Sequence, residues 1–299
     1  MDTRRTLLVD AFAAEPLAGN AAGVVPEADG LTADQMRAIA RELAVSETAF
    51  LLHSETADRR LRYFSPEQEV DLCGHATVAA HAHLREAGEI DEGEHTIETN
   101  VGVLDVEVES DGSIWMTQEM PRVERVEVDY ERLGNALGID PAALRDVGAD
   151  APVAVASTGL PFLIVPVNFL QNLGSADPND GAVEAIADEH DVAGIYAFTF
   201  DALGADSTLH ARAFAPSVGI AEDPATGTAS GACGAYLREV GAFEDFPEEM
   251  VFEQGHFVDR PSEVRVRVSG DVRVGGRAVT SLDGRLAVPP AEEDDIVEA

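Results

Sequence analysis

Two short glycine-containing loops stand immediately before apolar helical segments, and both could bind an anion. The loops are Cys73-Gly74-His75 and Thr226-Gly227-Thr228. A helix that starts in such a loop presents free backbone N–H groups and the positive end of its dipole, which suits a carboxylate. If both helix ends face one cleft, they form an anion site that needs no lysine. The alternative is that Gly74 and Gly227 only permit a tight entry into each helix.

Three ionisable residues near these loops are candidates for proton transfer. His75 opens the first helix, where the dipole disfavours imidazolium, so we expect a neutral ring at pH 7. Asp223 precedes the second helix and is the natural partner of His75. Glu47 begins the apolar strand segment 49–52, and apolar surroundings disfavour a charged carboxylate, which suits a general acid/base. Taken alone, Glu47 would be a solvent-facing strand residue.

An internal repeat of about 150 residues supplies elements that could position these groups. Arg62-Tyr63-Phe64-Ser65-Pro66 recurs as Arg212-Ala213-Phe214-Ala215-Pro216, at an offset of 150. Leu84-Arg85-Glu86-Ala87-Gly88 recurs as Leu237-Arg238-Glu239-Val240-Gly241, at an offset of 153. Each copy therefore reads as strands, an R-x-F-x-P turn, a glycine loop, one apolar helix and further strands.

The predicted helices at 75–87 and 228–240 are apolar or small on most sides, so we expect both to be buried on most sides. Strands before and after each helix then favour a sheet wrapped around it. The sequence thus predicts an α+β fold of two similar domains, each with a barrel-like β-sheet around a central helix. The first domain covers 1–125, the second covers 126–277, and 278–299 returns to the first.

Periodicity and turn residues assign the remaining segments. The predictions are a strand at 3–9, amphipathic helices at 32–43 and 182–188, a helix-rich stretch at 129–150 broken at Gly138 and Pro141, a loop at 176–181 and an acidic tail at 292–295.

The composition excludes several kinds of function. The chain has 299 residues, of which 45% are hydrophobic, and a net charge of −36; all 20 basic residues are arginines. Without lysine there is no Schiff base to pyridoxal phosphate and no P-loop lysine. The negative field repels nucleic acid and anionic membranes. We interpret the excess of carboxylates as holding water and ions in the high-salt cytoplasm of a halophile.

The cysteine content and the length of the apolar runs exclude further kinds of protein. Cys73 and Cys233 are the only cysteines, too few for a disulfide framework or a structural zinc site. His75 has no companion ligand at the usual spacing, so we expect neither a metal nor another cofactor. No stretch approaches the roughly 18 apolar residues of a membrane helix. The run after Arg5 stops at Asp10, short of a signal peptide, so we expect a cytoplasmic protein.

Motifs along nearly the whole chain resemble those of the PhzF (phenazine-biosynthesis-protein-like) family. The resemblance implies a diaminopimelate-epimerase-like fold with the active site in the cleft between two similar domains. Two departures, Ala21 where proline is usual and Asp259 where glycine is usual, matter little for the chemistry. The matching segments are Val9-Asp10-Ala11-Phe12, Gly19-Asn20, Ser46-Glu47-Thr48-Ala49-Phe50, Cys73-Gly74-His75-Ala76-Thr77, Thr158-Gly159-Leu160-Pro161, Glu222-Asp223-Pro224-Ala225-Thr226-Gly227-Thr228-Ala229-Ser230-Gly231, Gln254-Gly255 and Arg260-Pro261-Ser262.

The resemblance also implies roles. In the family, the glutamate that matches Glu47 is the general acid/base, and His75 and Asp223 match further catalytic positions. The founding activity moves a proton between ring carbons of a dihydro-hydroxyanthranilate without cofactor or metal; we do not carry the phenazine substrate over. The predicted substrate-binding residues are Asn20, Ser46, Cys73, Gly74, Gly227 and Thr228.

We therefore expect a cofactor-independent, homodimeric isomerase of small carboxylates that carry an amino or hydroxyl group, with little or no affinity for nucleotides. One alternative is an amino-acid epimerase that uses Cys73, since the related fold racemises amino acids with two thiols. Cys233 lies inside the second helix, so Glu47 would have to be the opposing base. The other alternative is a non-catalytic metabolite-binding protein that uses the cleft as an anion trap.

Overall fold

The computed structural model describes residues 2–147 and 150–290, which contain seven α-helices and eighteen β-strands. The helices are α1 (Ala33–Leu43), α2 (Gly74–Glu86), α3 (Tyr130–Leu137), α4 (Pro141–Arg145), α5 (Leu170–Gly174), α6 (Asp180–His190) and α7 (Gly227–Glu239). The strands are β1 (Asp2–Ala11), β2 (Asn20–Val25), β3 (Thr48–Leu52), β4 (Arg59–Phe64), β5 (Glu69–Val70), β6 (Gly93–Thr99), β7 (Gly102–Val108), β8 (Ile114–Thr117), β9 (Arg122–Arg125), β10 (Ala154–Ser157), β11 (Pro161–Pro166), β12 (Gly194–Thr199), β13 (Leu209–Ala215), β14 (Ile220–Asp223), β15 (Met250–Gln254), β16 (Ser262–Val268), β17 (Val272–Gly276) and β18 (Ala278–Val288).

Strand pairing divides the chain into two halves of the same topology. The first half runs β18-β1-β2-β3-β4-β6-β7-β8, with β5 beside β4. The second runs β9-β10-β11-β12-β13-β15-β16-β17, with β14 beside β13. Corresponding strands are nine apart in chain order, from β1 with β10 to β9 with β18. The α+β class and the duplication predicted from the repeated motifs are confirmed.

The halves are tied together where strands cross from one to the other. β8 pairs antiparallel with β17 at the seam between the two sheets. β18 returns to pair with β1, so that Val288 lies opposite Asp2. β9 pairs with β10 of the second half. From this pairing we propose a domain boundary between β8 and β9, a few residues before position 125.

The two central helices are buried over most of their length. Nine consecutive residues are buried in α2, 76–84, and nine in α7, 229–237. Small side chains allow the surrounding strands to approach closely: a Cβ added at Gly234 would lie 2.6 Å from Cγ1 of Val266. A sheet therefore packs against a small-residue helix in each half, as a helix without a single apolar face requires.

The remaining helices cover the outside of the sheets. α1 begins with a capping box between Thr32 and Gln35 and buries a stripe at Met36, Ile39 and Ala40. α3 to α6 cover the second half around a separate apolar cluster. No helix in the described ranges is both long and apolar enough to span a membrane.

Two predicted segments differ from the structure, and one cannot be compared with it. The loop expected at 176–181 is shorter, because Asn179 caps α6 through its side chain and the helix begins at Asp180. The R-x-F-x-P elements begin as strand ends and turn only at their prolines: Arg62 lies in β4 and Arg212 in β13, whereas Pro66 and Pro216 follow those strands. The acidic tail at 292–295 lies outside the described residues.

Both repeated arginines brace a strand that leads to a glycine loop. Nε and Nη2 of Arg62 each donate to the Glu69 carboxylate of β5, both at a distance of 2.7 Å. In the second half, Nε and Nη2 of Arg212 donate to Glu222 of β14 over 2.9 and 2.6 Å. Two parallel hydrogen bonds from a guanidinium to a carboxylate fix both the position and the orientation of the two side chains. The repeated motif is thus a support for the loops that end at α2 and α7.

Candidate active site

A cleft of about 200 Å³ lies between the halves, at the N-termini of α2 and α7. Two larger surface cavities, of about 660 and 280 Å³, contain none of the predicted site residues. Nine residues were predicted for the site, and all nine line the 200 Å³ cleft: Asn20, Ser46, Glu47, Cys73, Gly74, His75, Asp223, Gly227 and Thr228. The structure thus brings them together, while their individual roles stay predictions.

The start of each central helix is open toward the cleft. Cys73 is the N-cap of α2 and Thr226 the N-cap of α7, and within the described ranges neither helix start has a side-chain cap hydrogen bond. Gly74 and Gly227, the first residues of the helices, line the cleft. The first-turn amides and the positive dipole ends can therefore receive a substrate carboxylate.

His75 connects three side chains of the first half. Its Nε2 lies 3.3 Å from Oγ of Ser46 and 3.6 Å from Oε2 of Glu47, and its Nδ1 lies 3.3 Å from Sγ of Cys73. Burial lowers the pKa of His75, although the nearby Glu47 charge acts in the opposite direction. Burial and Glu47 both raise the pKa of the Cys73 thiol well above its usual value. A protonated thiol donating to Nδ1 leaves Nε2–H to face Glu47.

Asp223 is the corresponding group of the second half. Its Oδ1 accepts from Nδ2 of Asn20 over 2.8 Å, and its Oδ2 accepts from Oγ1 of Thr226 over 2.6 Å. Burial raises the pKa of Asp223 to about 7, against the effect of these hydrogen bonds, and the charge of Glu47 raises it further. Near neutral pH, Asp223 is therefore present both as the acid and as the carboxylate.

Asn20 reaches across the cleft from the first half and uses its amide group within the protein. Both hydrogens of Nδ2 have partners, Oδ1 of Asp223 at 2.8 Å and the carbonyl oxygen of Ala225 at 3.0 Å. Its side-chain oxygen is the atom left for a ligand. The geometry therefore supports a role in positioning Asp223 beside the predicted role in substrate binding.

Gln254 supports Asp223 and was not predicted as a site residue. Its side chain is fully buried, and its Oε1 accepts from the Thr226 amide over 3.1 Å. Its Nε2 donates to the carbonyl oxygen of Asp223 at 2.6 Å and to Oγ1 of Thr226 at 3.0 Å. Because that hydroxyl oxygen accepts from Gln254, its own hydrogen points to Asp223.

Arg260 is a second support that sequence reasoning missed. Its Nη2 donates to Oδ1 of the buried Asp10 and to the carbonyl oxygen of Ala18, each at a distance of 2.6 Å. Its Nε donates to the carbonyl oxygen of Gly19 at 2.9 Å. These contacts fix the loop that delivers Asn20. The sequence signal was present in the Arg260-Pro261-Ser262 motif, but spacing along the chain gives no partner 250 residues away.

The same cleft holds a set of possible metal ligands. A carboxylate oxygen of Glu47, Sγ of Cys73 and a ring nitrogen of His75 all lie within 4.8 Å of one another. Sequence spacing did not predict this set, because Glu47 lies on a different element from the other two. The expectation that activity needs no metal stays a prediction.

Comparison with known proteins identifies the family. The profile of the PhzC-PhzF family, described as phenazine biosynthesis-like protein, matches residues 9–284. The chain is 36% identical over 289 residues to the uncharacterized isomerase YfhB of Bacillus subtilis, covering 95% of this chain and 96% of the relative. It is 32% identical over 299 residues to the trans-2,3-dihydro-3-hydroxyanthranilate isomerase of Pseudomonas chlororaphis, covering 94% of this chain and 99% of the relative.

Solved structures agree with this assignment. A phenazine biosynthesis protein of the PhzF family from Bacillus anthracis has a TM-score of 0.89 at 34% identity, covering 96% of this chain and 100% of the other. A hydroxyproline epimerase from Agrobacterium vitis has a TM-score of 0.58 at 16% identity over 97% of this chain and 94% of the other, which shows a shared fold alone. The predicted epimerase-like fold is thus confirmed. The chain belongs to the PhzC-PhzF family of phenazine biosynthesis-like proteins, a family that includes isomerases.

Proposed function

We propose that this protein is a cofactor-independent isomerase that moves a proton on a small amino- or hydroxy-substituted carboxylate, with Glu47 as the general acid/base. The observation that carries the proposal is the convergence of Glu47, His75 and Asp223 in one cleft with two open helix N-termini. The isomerase from Pseudomonas chlororaphis is named for a substrate that carries an amino group, a hydroxyl group and a carboxylate.

Proton transfer by Glu47 accounts for the chemistry without redox change. The substrate carboxylate lies against the amides at the starts of α2 and α7, which fixes the substrate relative to Glu47. The Glu47 carboxylate removes a proton from one carbon, and the electron pair spreads into an adjacent double bond. Glu47, now a carboxylic acid, returns the proton to the carbon at the far end of that system. A neutral His75, whose Nε2 contacts Ser46 and lies 3.6 Å from Oε2 of Glu47, forms the wall beside that carboxylate.

We assign Asp223 to the opposite side of the substrate. With its pKa raised to about 7, Asp223 keeps a proton in a large fraction of molecules at neutral pH. The acid form donates a hydrogen bond to a substrate oxygen or nitrogen on which charge develops. Asn20 and Thr226 fix its orientation, so this donor needs no rearrangement when the proton moves.

Cys73 is less well suited to remove a proton. Burial raises the pKa of its thiol, whereas a catalytic thiol needs the thiolate form. Cys233, the other cysteine, is fully buried within α7 and cannot face the substrate from the second half. The epimerase alternative therefore depends on a single disfavoured thiolate. A cytoplasmic location and a homodimer complete the proposal.

The test is solvent-hydrogen exchange with Glu47→Gln. Trans-2,3-dihydro-3-hydroxyanthranilate and a panel of amino- and hydroxy-substituted carboxylates would be incubated with enzyme in D₂O and followed by NMR. We expect Glu47→Gln to fold normally and lose about 10²-fold or more in rate, in line with general acid/base catalysis. Glu42→Gln, an exposed glutamate of α1, is the matched control and keeps the wild-type rate.

Four results would contradict parts of the proposal. Near wild-type turnover by Glu47→Gln excludes this residue as the base. Loss of exchange in Cys73→Ala together with retention in Glu47→Gln supports the thiol epimerase. Tight binding of the acids without any exchange supports a metabolite-binding protein. Activity that is lost on exhaustive chelation and restored by one metal would overturn the expected metal independence.

A further inference from the structure

Three side chains at the start of α2 place a thiol, an imidazole and a carboxylate close enough together to share one metal ion. Sγ of Cys73 lies 3.3 Å from Nδ1 of His75, and the Glu47 carboxylate lies within 4.8 Å of both residues. A tetrahedral zinc ion with bonds of about 2.0–2.3 Å holds neighbouring ligand atoms roughly 3.3–3.6 Å apart. The thiol and Nδ1 of His75 already have this spacing. The Glu47 carboxylate lies 3.6 Å from Nε2 on the other side of the ring, so its side chain has to rotate toward Cys73 to share the ion.

The chemistry of these donors selects the class of cation. Magnesium and calcium prefer oxygen ligands throughout, whereas thiolate and imidazole favour zinc and its analogue cobalt(II). Binding replaces the thiol proton of Cys73, which leaves to solvent, because a bound dication deprotonates a coordinating thiol. Three protein ligands leave the fourth position open to the cleft, for water or a carboxylate.

Electrostatics at the site act in both directions. The positive ends of α2 and α7 oppose a cation. The Glu47 carboxylate and the Cys73 thiolate together neutralise a dication, and Asp223 adds a partial negative charge on the far wall of the cleft. The net charge of −36 raises the local concentration of cations around the whole molecule. Direct ligation outweighs the helix dipoles, because their effect is limited to partial charges.

We propose that Glu47, Cys73 and His75 bind a thiophilic divalent cation of the zinc class, and that the bound ion inhibits the enzyme by occupying the lone pairs of Glu47. The binding site is argued from the types of donor atom and their proximity, and does not depend on the catalytic role of Glu47. The inhibition rests on the proposed function, since it requires Glu47 to be the general base. The ion is thus a regulator of the site and not a cofactor of the reaction.

Cobalt(II) is a direct probe of this site, because a thiolate ligand gives an intense near-ultraviolet charge-transfer band. We expect one equivalent of cobalt to produce the band in the wild type and zinc to remove it by displacement. Cys73→Ser should lose the band and weaken zinc binding by about tenfold or more. Cys233→Ser is the matched control: its thiol is fully buried in α7, and the band should be unchanged.

The outcomes separate the metal site from the catalytic assignment. No cobalt–thiolate band at millimolar cobalt, or an equal band in Cys73→Ser, overturns the metal site. If the band forms, zinc at one equivalent should abolish solvent-hydrogen exchange, and a chelator should restore it. A band without inhibition refutes the regulatory role while the binding site stands. If the wild type shows the cobalt band but Glu47→Gln retains turnover, the metal site stands and the proposed function is refuted.

Discussion

Asp223 is a buried carboxylate whose ionisation works against the folded state. Burial raises its pKa from 3.8 to about 7, although Thr226 and Asn20 both donate to it. Because the folded value lies above the unfolded one, folding favours the protonated acid. The resulting stability is fully present below about pH 4 and is lost as the pH rises through about 7. The site thus retains a group that costs stability under the conditions in which it would act.

Asp223→Asn tests this linkage, because asparagine stays neutral at every pH. We expect the melting temperature of Asp223→Asn, relative to the wild type, to rise steadily between pH 4 and pH 7.5. A constant offset from altered hydrogen bonds does not affect the slope. Glu42→Gln, an exposed control, should show no such trend. A difference between Asp223→Asn and wild type that does not vary with pH would contradict the raised pKa.

At the scale of single residues, the sequence predicted the site by residue type but not its supports. His75, Asp223 and the loop glycines stand beside helix starts, so local spacing points to them. Gln254 binds Thr226, 28 residues away within the second half, and the hydrogen bond of Arg260 to Asp10 exists only once the halves have packed. The departure at Asp259 has a local explanation: its φ is 56°, a left-handed conformation that suits glycine and that aspartate tolerates better than most residues.

At the scale of elements, the paired arginines of the repeat work in different surroundings. Arg212 and Glu222 have side chains that are 6% and 12% exposed, and Arg212 also donates to the carbonyl oxygens of Leu173 and Ala176 in the α5 region. Arg62 and Glu69 make the same fork but are 20% and 28% exposed. The motif is thus repeated, but we expect its contribution to the free energy of unfolding to differ between the halves.

Replacing each arginine with glutamine measures this difference in stability. Arg212→Gln leaves the Glu222 carboxylate largely buried without its partner, so we expect a loss of about 3–5 kcal/mol in the free energy of unfolding. Arg62→Gln leaves a carboxylate that water can reach, so we expect about 1 kcal/mol or less. Denaturant unfolding of the two variants checks the ratio, with each acting as the other's control. Equal losses would show that burial does not set the contribution of the motif.

The elements that the sequence predicted best are those with a signal in their own residues. α2 and α7 begin within one residue of the predicted 75–87 and 228–240, since runs of small apolar residues mark helices buried on most sides. The predicted turn at R-x-F-x-P was wrong in its first residues, because Arg62 and Arg212 are held in strands by distant neighbours. The pairing of β9 with β10 of the second half is likewise a long-range contact that local periodicity cannot reveal.

At the scale of the whole molecule, attraction and repulsion between charges compete. Four arginines in β16, in β17 and directly after β17 pair with acids of the first half across the seam. The pairs are Arg265–Asp111, Arg267–Glu109, Arg273–Glu107 and Arg277–Asp111. Partly exposed pairs of this kind contribute about 0–1 kcal/mol each, and salt weakens them. Against them stand 56 acidic residues and only 20 arginines, so most carboxylates have no cationic partner available. We therefore expect repulsion among the unpaired carboxylates to be the larger effect.

Salt should therefore stabilise the fold. The screening length falls from about 10 Å at 0.1 M salt to about 3 Å at 1 M, which removes repulsion between neighbouring surface carboxylates. We expect the melting temperature to rise steadily as KCl is increased from millimolar to molar concentrations at pH 7. At pH 4, where many carboxylates are neutral, the same titration should give a clearly smaller rise, which separates charge screening from general salt effects. A melting temperature that stays constant or falls with added KCl at pH 7 would count against a halophilic origin and show that the arginine pairs at the seam dominate.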